Sequence, residues 1–107
     1  MKEPTFDSDG YPTEETLETI RKWDHTDNFR ILMEYIEKAW RYSDTYFEKL
    51  LDIENNNWIY TLHTFGWSGN EDLIGAMKQN TLFWMLSWLE SRRGGHYKFM
   101  VYADDVE

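Results

Sequence analysis

Two short stretches concentrate the residues able to do chemistry. Residues 91–97, SRRGGHY, set Arg92, Arg93, His96 and Tyr97 around a pair of glycines in a chain of net charge −9. Adjacent guanidinium groups can grip a phosphate or carboxylate in bidentate fashion, and Gly94 and Gly95 let a backbone approach closely. The same glycines suit a hairpin turn, where positive φ is required and the arginines are solvated. Residues 66–71, GWSGNE, place Trp67, Ser68 and Asn70 where a helix would begin, so free backbone N–H groups there can receive an anion. Ser68 and Glu71 also have the S-x-x-E spacing of a capping box, in which Glu71 would take one of those donors and repel an anion. The candidate ligand-binding set is therefore Trp67, Ser68, Asn70, Arg92, Arg93, His96 and Tyr97, with a hairpin turn as the simpler account of the second stretch. Trp67, in a loop, is the tryptophan best placed to stack a base or anchor a partner.

Other chemistries find less support. His25, His63 and His96 show no ligand spacing and cysteine is absent, so no metal or cofactor site is expected. The segment GWSGN lacks the final glycine of G-x-S-x-G, which leaves Ser68 a cap rather than a nucleophile. Glu14, Glu15, Glu18, Glu34 and Glu37 fall on helical faces, where carboxylates serve solubility or present a negative surface to a basic partner. An enzyme is the least supported class.

The elements that must position these residues are legible in part. Thr13 can cap a helix carrying Glu14 and Glu15 in its first turn and Leu17, Ile20 and Trp23 along one side. Thr26 or Asp27 can start a second, in which Phe29, Leu32, Met33, Ile36, Ala39 and Trp40 trace an i, i+3, i+4, i+7 stripe. Glu34 precedes Lys38 by four residues and Glu37 precedes Arg41 by four, a spacing that favours ion pairs. Residues 43–53 read as a short helix with Tyr46, Phe47, Leu50 and Leu51 inward. The polar break ENNN leads into an alternating strand from Trp58 to Phe65, and a helix from Ser68 to Asn80 would bury Leu73, Ile74 and Met77.

Residues 82–90 are apolar on every side and fit a buried helix or a covered strand. The alternation of HYKFMVY behind RRGG tilts the reading to a hairpin over residues 82–102, with Trp58, Trp84 and Trp88 as core. The expected architecture is α+β: amino-terminal helices on a three-stranded antiparallel sheet, with one helix inserted between strands 1 and 2. One domain spans residues 1–107, its ends at 1–12 and 103–107 expected to be loosely ordered.

Charge is distributed unevenly. Residues 1–54 carry 14 acidic against 7 basic side chains, whereas residues 55–98 are near neutral and rich in aromatics. An acidic chain is a poor direct partner for duplex nucleic acid, whose binding needs clustered cations, and a better match for a basic protein surface. No apolar run is long enough to span a bilayer and the amino terminus lacks a signal-peptide core, so a cytoplasmic setting is expected.

The segments GYPTEETLETIRKWD and FGWSGNEDLIGAMKQNTLFWMLSWLESRRGGHYKF resemble a group of small proteins carried by bacteriophages and prophages. The resemblance implies an accessory protein acting in the bacterial cytoplasm, such as an inhibitor of a CRISPR or restriction complex, with Gly66–Glu71 and Ser91–Tyr97 as its shared site. Three functions compete at this stage. The first is a non-catalytic inhibitor or adaptor that meets a basic host protein or nucleoprotein complex through Glu14, Glu15, Glu18, Glu34 and Glu37. The second is a small-ligand module holding a nucleotide or other anion between Ser68 and Arg92/Arg93, and the third is a homo-oligomeric assembly component.

Overall fold

A computed structural model of the protein describes residues 3–103. The fold is α+β, with elements in the order α1 (Glu14–Arg21), α2 (Phe29–Ala39), α3 (Ser43–Tyr46), β1 (Phe47–Asp52), β2 (Asn57–His63), α4 (Ser68–Gln79), α5 (Thr81–Ser87), β3 (Trp88–Arg92) and β4 (His96–Tyr102). The four strands form one antiparallel sheet in the order β1-β2-β4-β3. Four strands replace the three expected, and two helices rather than one separate β2 from β3.

The extra strand comes from residues 47–52, expected to be helical. Their i, i+3, i+4 apolar spacing is real, but the helix stops after one turn and the chain pairs along its length with β2, from Phe47 opposite Leu62 to Asp52 opposite Asn57. Only Phe47 of β1 is buried. An edge strand held chiefly by main-chain bonds needs no alternating pattern, so the sequence carries little sign of it. The ENNN break turns this hairpin, with Asn56 at φ 58°.

The second correction concerns residues 81–87, which are helical where a strand was expected. Asn80 decides this: its Oδ1 accepts the Phe83 N–H at 3.2 Å, while its Nδ2 donates to the carbonyls of Ile20 at 2.9 Å and Trp23 at 3.0 Å. One buried amide thus starts α5 and ties it to the end of α1. Phe83 and Ser87, four apart, face inward, whereas Trp58 and Trp84 are half-buried and Trp88 is exposed, so the expected tryptophan core is only partly formed.

Other signals hold. Thr13 Oγ1 accepts the Thr16 N–H at 3.2 Å and caps α1. All six residues of the α2 stripe are buried. That helix, however, is capped by Asn28 at φ 71°, while Asp24 caps a turn of 3-10 helix at His25–Asp27. Leu73, Ile74 and Met77 of α4 are buried as expected. Residues 3–12 form a loop against α1, in which the Thr5 N–H donates to Thr16 Oγ1 at 2.8 Å and Phe6 bridges Pro12. The expectation for the carboxy-terminal end falls largely on residues 104–107, outside those described.

The helices pack against one face of the sheet. Phe47, Tyr60, Leu62, Phe99 and Val101 project from that face into a core with Leu32, Met33, Ile36, Leu73, Met77 and Phe83. Phe83 meets Phe29 edge-on at 5.2 Å between centroids and Phe99 at 5.8 Å, which joins α2, α5 and β4. The other face bears Leu50, Ile59, Thr61, His63, His96, Lys98 and Met100 by strand alternation; among the described residues Tyr46 of α3 packs on His63 at its edge, and no longer helix is laid across it.

Candidate functional site

The hairpin between β3 and β4 turns at Arg93–Gly95, with Gly94 and Gly95 at φ 87° and 84°. The turn reading of SRRGGHY is therefore correct, and the glycines are needed for it. Its arginines are also presented. On the open face of the sheet, Arg92, Arg93, His96 and Lys98 line a cleft of about 450 Å³ with Thr61 and Glu90, and Tyr97, whose side chain alternates to the helix-covered face, borders it. Arg92 Nε donates to Glu90 at 3.1 Å, and Glu90 stands opposite Lys98 in the strand register, which leaves the cationic charge in excess.

His63 adjoins this cleft through His96, their rings edge-to-face at 4.0 Å. His63 Nδ1 accepts the Phe65 N–H at 2.7 Å, so the neutral ring carries its proton on Nε2. Burial, with a smaller contribution from His96, pushes the His63 pKa below its ordinary value.

The GWSGNE block lies elsewhere. Trp67, not Ser68, is the N-cap of α4, and no side chain caps that helix. The expected capping box is not formed: Ser68 Oγ instead donates to Tyr11 Oη at 3.3 Å. Trp67 folds back over Gly69, where any Cβ would overlap its indole ring. Asn70 is fully buried, its Oδ1 accepting the Arg41 N–H at 3.1 Å and its amide donating to the Arg41 carbonyl at 3.5 Å. Asn70 is thus a fastener for the α2–α3 turn rather than a ligand donor.

The seven residues proposed from sequence therefore divide between two places, Trp67, Ser68 and Asn70 in one and Arg92, Arg93, His96 and Tyr97 in the other. Tyr97 borders the cleft, but its ring is engaged by Trp84 at 6.4 Å and by Lys78 at 5.8 Å. A row of side chains runs between the two places. Trp67 contacts Tyr11 at 5.0 Å and carries the Arg41 guanidinium at 4.7 Å, which also lies 5.7 Å from Tyr42. Tyr42, Phe65, Tyr46, His63 and His96 follow, with successive ring centroids 5.6, 4.6, 5.5 and 4.0 Å apart. Tyr42 and Phe65, whose rings meet at a tilt of 40°, adopt positive φ, 56° and 44°, a costly conformation for aromatic residues.

The candidate set read from sequence lacks Lys98, Thr61 and Arg41 as well as Glu90 and the intervening aromatic residues. Lys98 was legible, since it alternates with His96 on one face of β4. Thr61 enters from a neighbouring strand, and Arg41 is placed by the Asn70 clamp; neither carries a local signal.

Four of the five acidic candidates are engaged within the chain. Glu14 and Glu18 bind Arg21 at 2.8 and 2.6 Å, and Glu18 also binds Lys22 at 2.8 Å. The Lys22 and Arg21 hydrogen bonds, in that order, lower the Glu18 pKa. Glu34 pairs with Arg30 at 2.8 Å and Glu37 with Lys49 of β1 at 2.9 Å, not with Lys38 and Arg41. The helix ends at Ala39 and Trp40 is extended, so Arg41 never reaches the i+4 position, and Lys38 turns to Glu3 at 3.0 Å. Of the five acidic candidates, Glu15 alone has no ion pair among the described residues.

Among the described residues, no group of three or more histidines or carboxylates is arranged to hold a metal, and no helix is long and apolar enough to cross a membrane. No family model, curated protein or solved structure matches the chain.

Proposed function

We propose that the protein is a non-catalytic binding module that takes an anionic group, a phosphate or carboxylate, in the cleft above β3 and β4. The observation that carries this reading is the convergence of Arg92, Arg93, His96 and Lys98 on the open face of the sheet in a chain of net charge −9. A cationic cleft on an acidic surface concentrates field at one point, which suits selective capture of an anion more than adhesion to a polyanion. Arg93 and Lys98 are the principal contacts, because Arg92 is already tied to Glu90.

Thermal unfolding in the presence of inorganic phosphate, pyrophosphate and adenosine monophosphate tests this. Binding raises the melting temperature, since a ligand at about 100 times its Kd adds about 2.7 kcal/mol to the folded state. The shift is expected to vanish in Arg93→Ala/Lys98→Ala while the unliganded melting temperature changes little. Absence of any shift with all three anions would refute the reading.

A second reading, an acidic phage-type inhibitor or adaptor for a basic host complex, is favoured by Glu15, which has no ion pair among the described residues and lines a depression with Glu3, Thr5, Thr19 and Tyr35. It requires salt-sensitive association that Glu15→Arg weakens.

A further inference from the structure

Among the described residues the outer edge of β3 has no strand beside it, and the surface next to it is apolar. Leu82, Met85 and Leu86 of α5 and Leu89 of β3 recur at i, i+3, i+4 and i+7 and are 41, 72, 58 and 45 % exposed. Trp88 at the start of the strand is 41 % exposed. Contiguous apolar surface of this kind on a small domain marks a contact surface.

Charge identifies the occupant. Copies of a chain with net charge −9 repel one another, but residues 73–89 contain no Asp or Glu and a single Lys, so repulsion between copies is weakest there. In β3 itself, Glu90 and Arg92 share one face of the strand and flank Ser91; they stand opposite Lys98 and His96 of β4. If two β3 strands pair antiparallel about a two-fold axis at Ser91, each Glu90 falls opposite the other copy's Arg92. Registers centred on Glu90 or Arg92 would set like charges against each other. On the other free edge, pairing two β1 strands about Leu50 opposes Glu48 to Asp52, and pairing about Lys49 opposes the two lysines. The irregularity between Trp88 and Glu90 limits regular pairing to Glu90–Arg92.

We propose that two copies associate through their β3 edges about an axis at Ser91, joining two four-stranded sheets into one of eight strands. Such an axis is perpendicular to the sheet and keeps both open faces on the same side, so the two cationic clefts become neighbours. The inference does not depend on what those clefts bind.

The absence of cysteine makes the test direct. Directly opposed residues of an antiparallel pair lie about 4.5–5.5 Å apart at Cα, within the span of a disulfide. The full-length Ser91→Cys variant is expected to form a disulfide-linked dimer in air, while Glu71→Cys, on an exposed turn of α4, stays monomeric under reducing-free electrophoresis. In sedimentation equilibrium, Glu90→Arg and Arg92→Glu each weaken the dimer by about tenfold, and the double exchange Glu90→Arg/Arg92→Glu restores it. A wild-type protein with self-association weaker than about 1 mM, equal cross-linking at both cysteines, or a double exchange no better than the single variants would each overturn the proposal. Ser91→Cys replaces the hydroxyl that accepts the Trp88 Nε1–H at 2.8 Å with a thiol of similar size on an exposed strand, and circular dichroism of the variant checks that it folds.

Discussion

The Gly95 carbonyl accepts the Thr64 N–H at 3.0 Å, and Gly95 is seated so closely on Thr64 that a Cβ there would overlap the threonine hydroxyl. This contact holds the β3–β4 turn, and with it the arginines of the cleft, against the end of β2. The turn is a structural device first, and the cleft exists because the turn is fixed.

Gly95→Ala is expected to cost about 3 kcal/mol, combining roughly 1–2 kcal/mol for positive φ with about 1–3 kcal/mol for overpacking against Thr64. Gly94 has the same sign of φ, but its nearest neighbour to an added Cβ is 3.6 Å away, so Gly94→Ala is expected to cost only about 1 kcal/mol. Urea unfolding of the two variants measures the difference. Equal costs would show that Thr64 yields freely.

Asn80→Ala is expected to destabilise the protein by about 3 kcal/mol. The variant removes the cap of α5 and leaves the carbonyls of Ile20 and Trp23 without the donor they have now. Asn80→Asp keeps the acceptor for the Phe83 N–H but loses both amide donations, and its cost in urea unfolding separates the two functions.

His63 makes stability depend on pH. Its folded pKa lies below the ordinary 6.5, so the unfolded chain takes up a proton more readily than the folded one. The contribution of the neutral imidazole is complete above about pH 6.5 and is lost as pH falls below it. Melting temperatures recorded from about pH 8 down to pH 5 are expected to fall in the wild type by more than in His63→Gln, because only the former carries this titration. Parallel profiles would show that the His63–His96 contact tolerates the charge.

How much of this could be read from the chain depends on whether each signal was local. The α2 stripe, the Thr13 cap, the alternation of β2 and β4 and the Gly94–Gly95 turn are written within a few consecutive residues, and the fold uses them as read. The capping box at Ser68 has the right residues and fails because Trp67 and Tyr11, distant in sequence, pack together and draw the hydroxyl to Tyr11.

What the sequence determined by itself was the α+β class, the faces of the long helices and the glycine turn that carries Arg92 and Arg93. Those follow from periodicity and turn chemistry, which act over one or two turns of chain. The tertiary structure alone decided that residues 47–52 are a strand, because pairing with β2 outweighs one turn of amphipathic helix. It likewise decided that residues 81–87 are a helix, because Asn80 finds its carbonyl partners at the end of α1. It also decided where the candidate cleft lies: burial of Asn70 commits that residue to structure, while strand register brings Thr61 and Lys98 beside Arg92 and Arg93 on an open face that no local pattern describes.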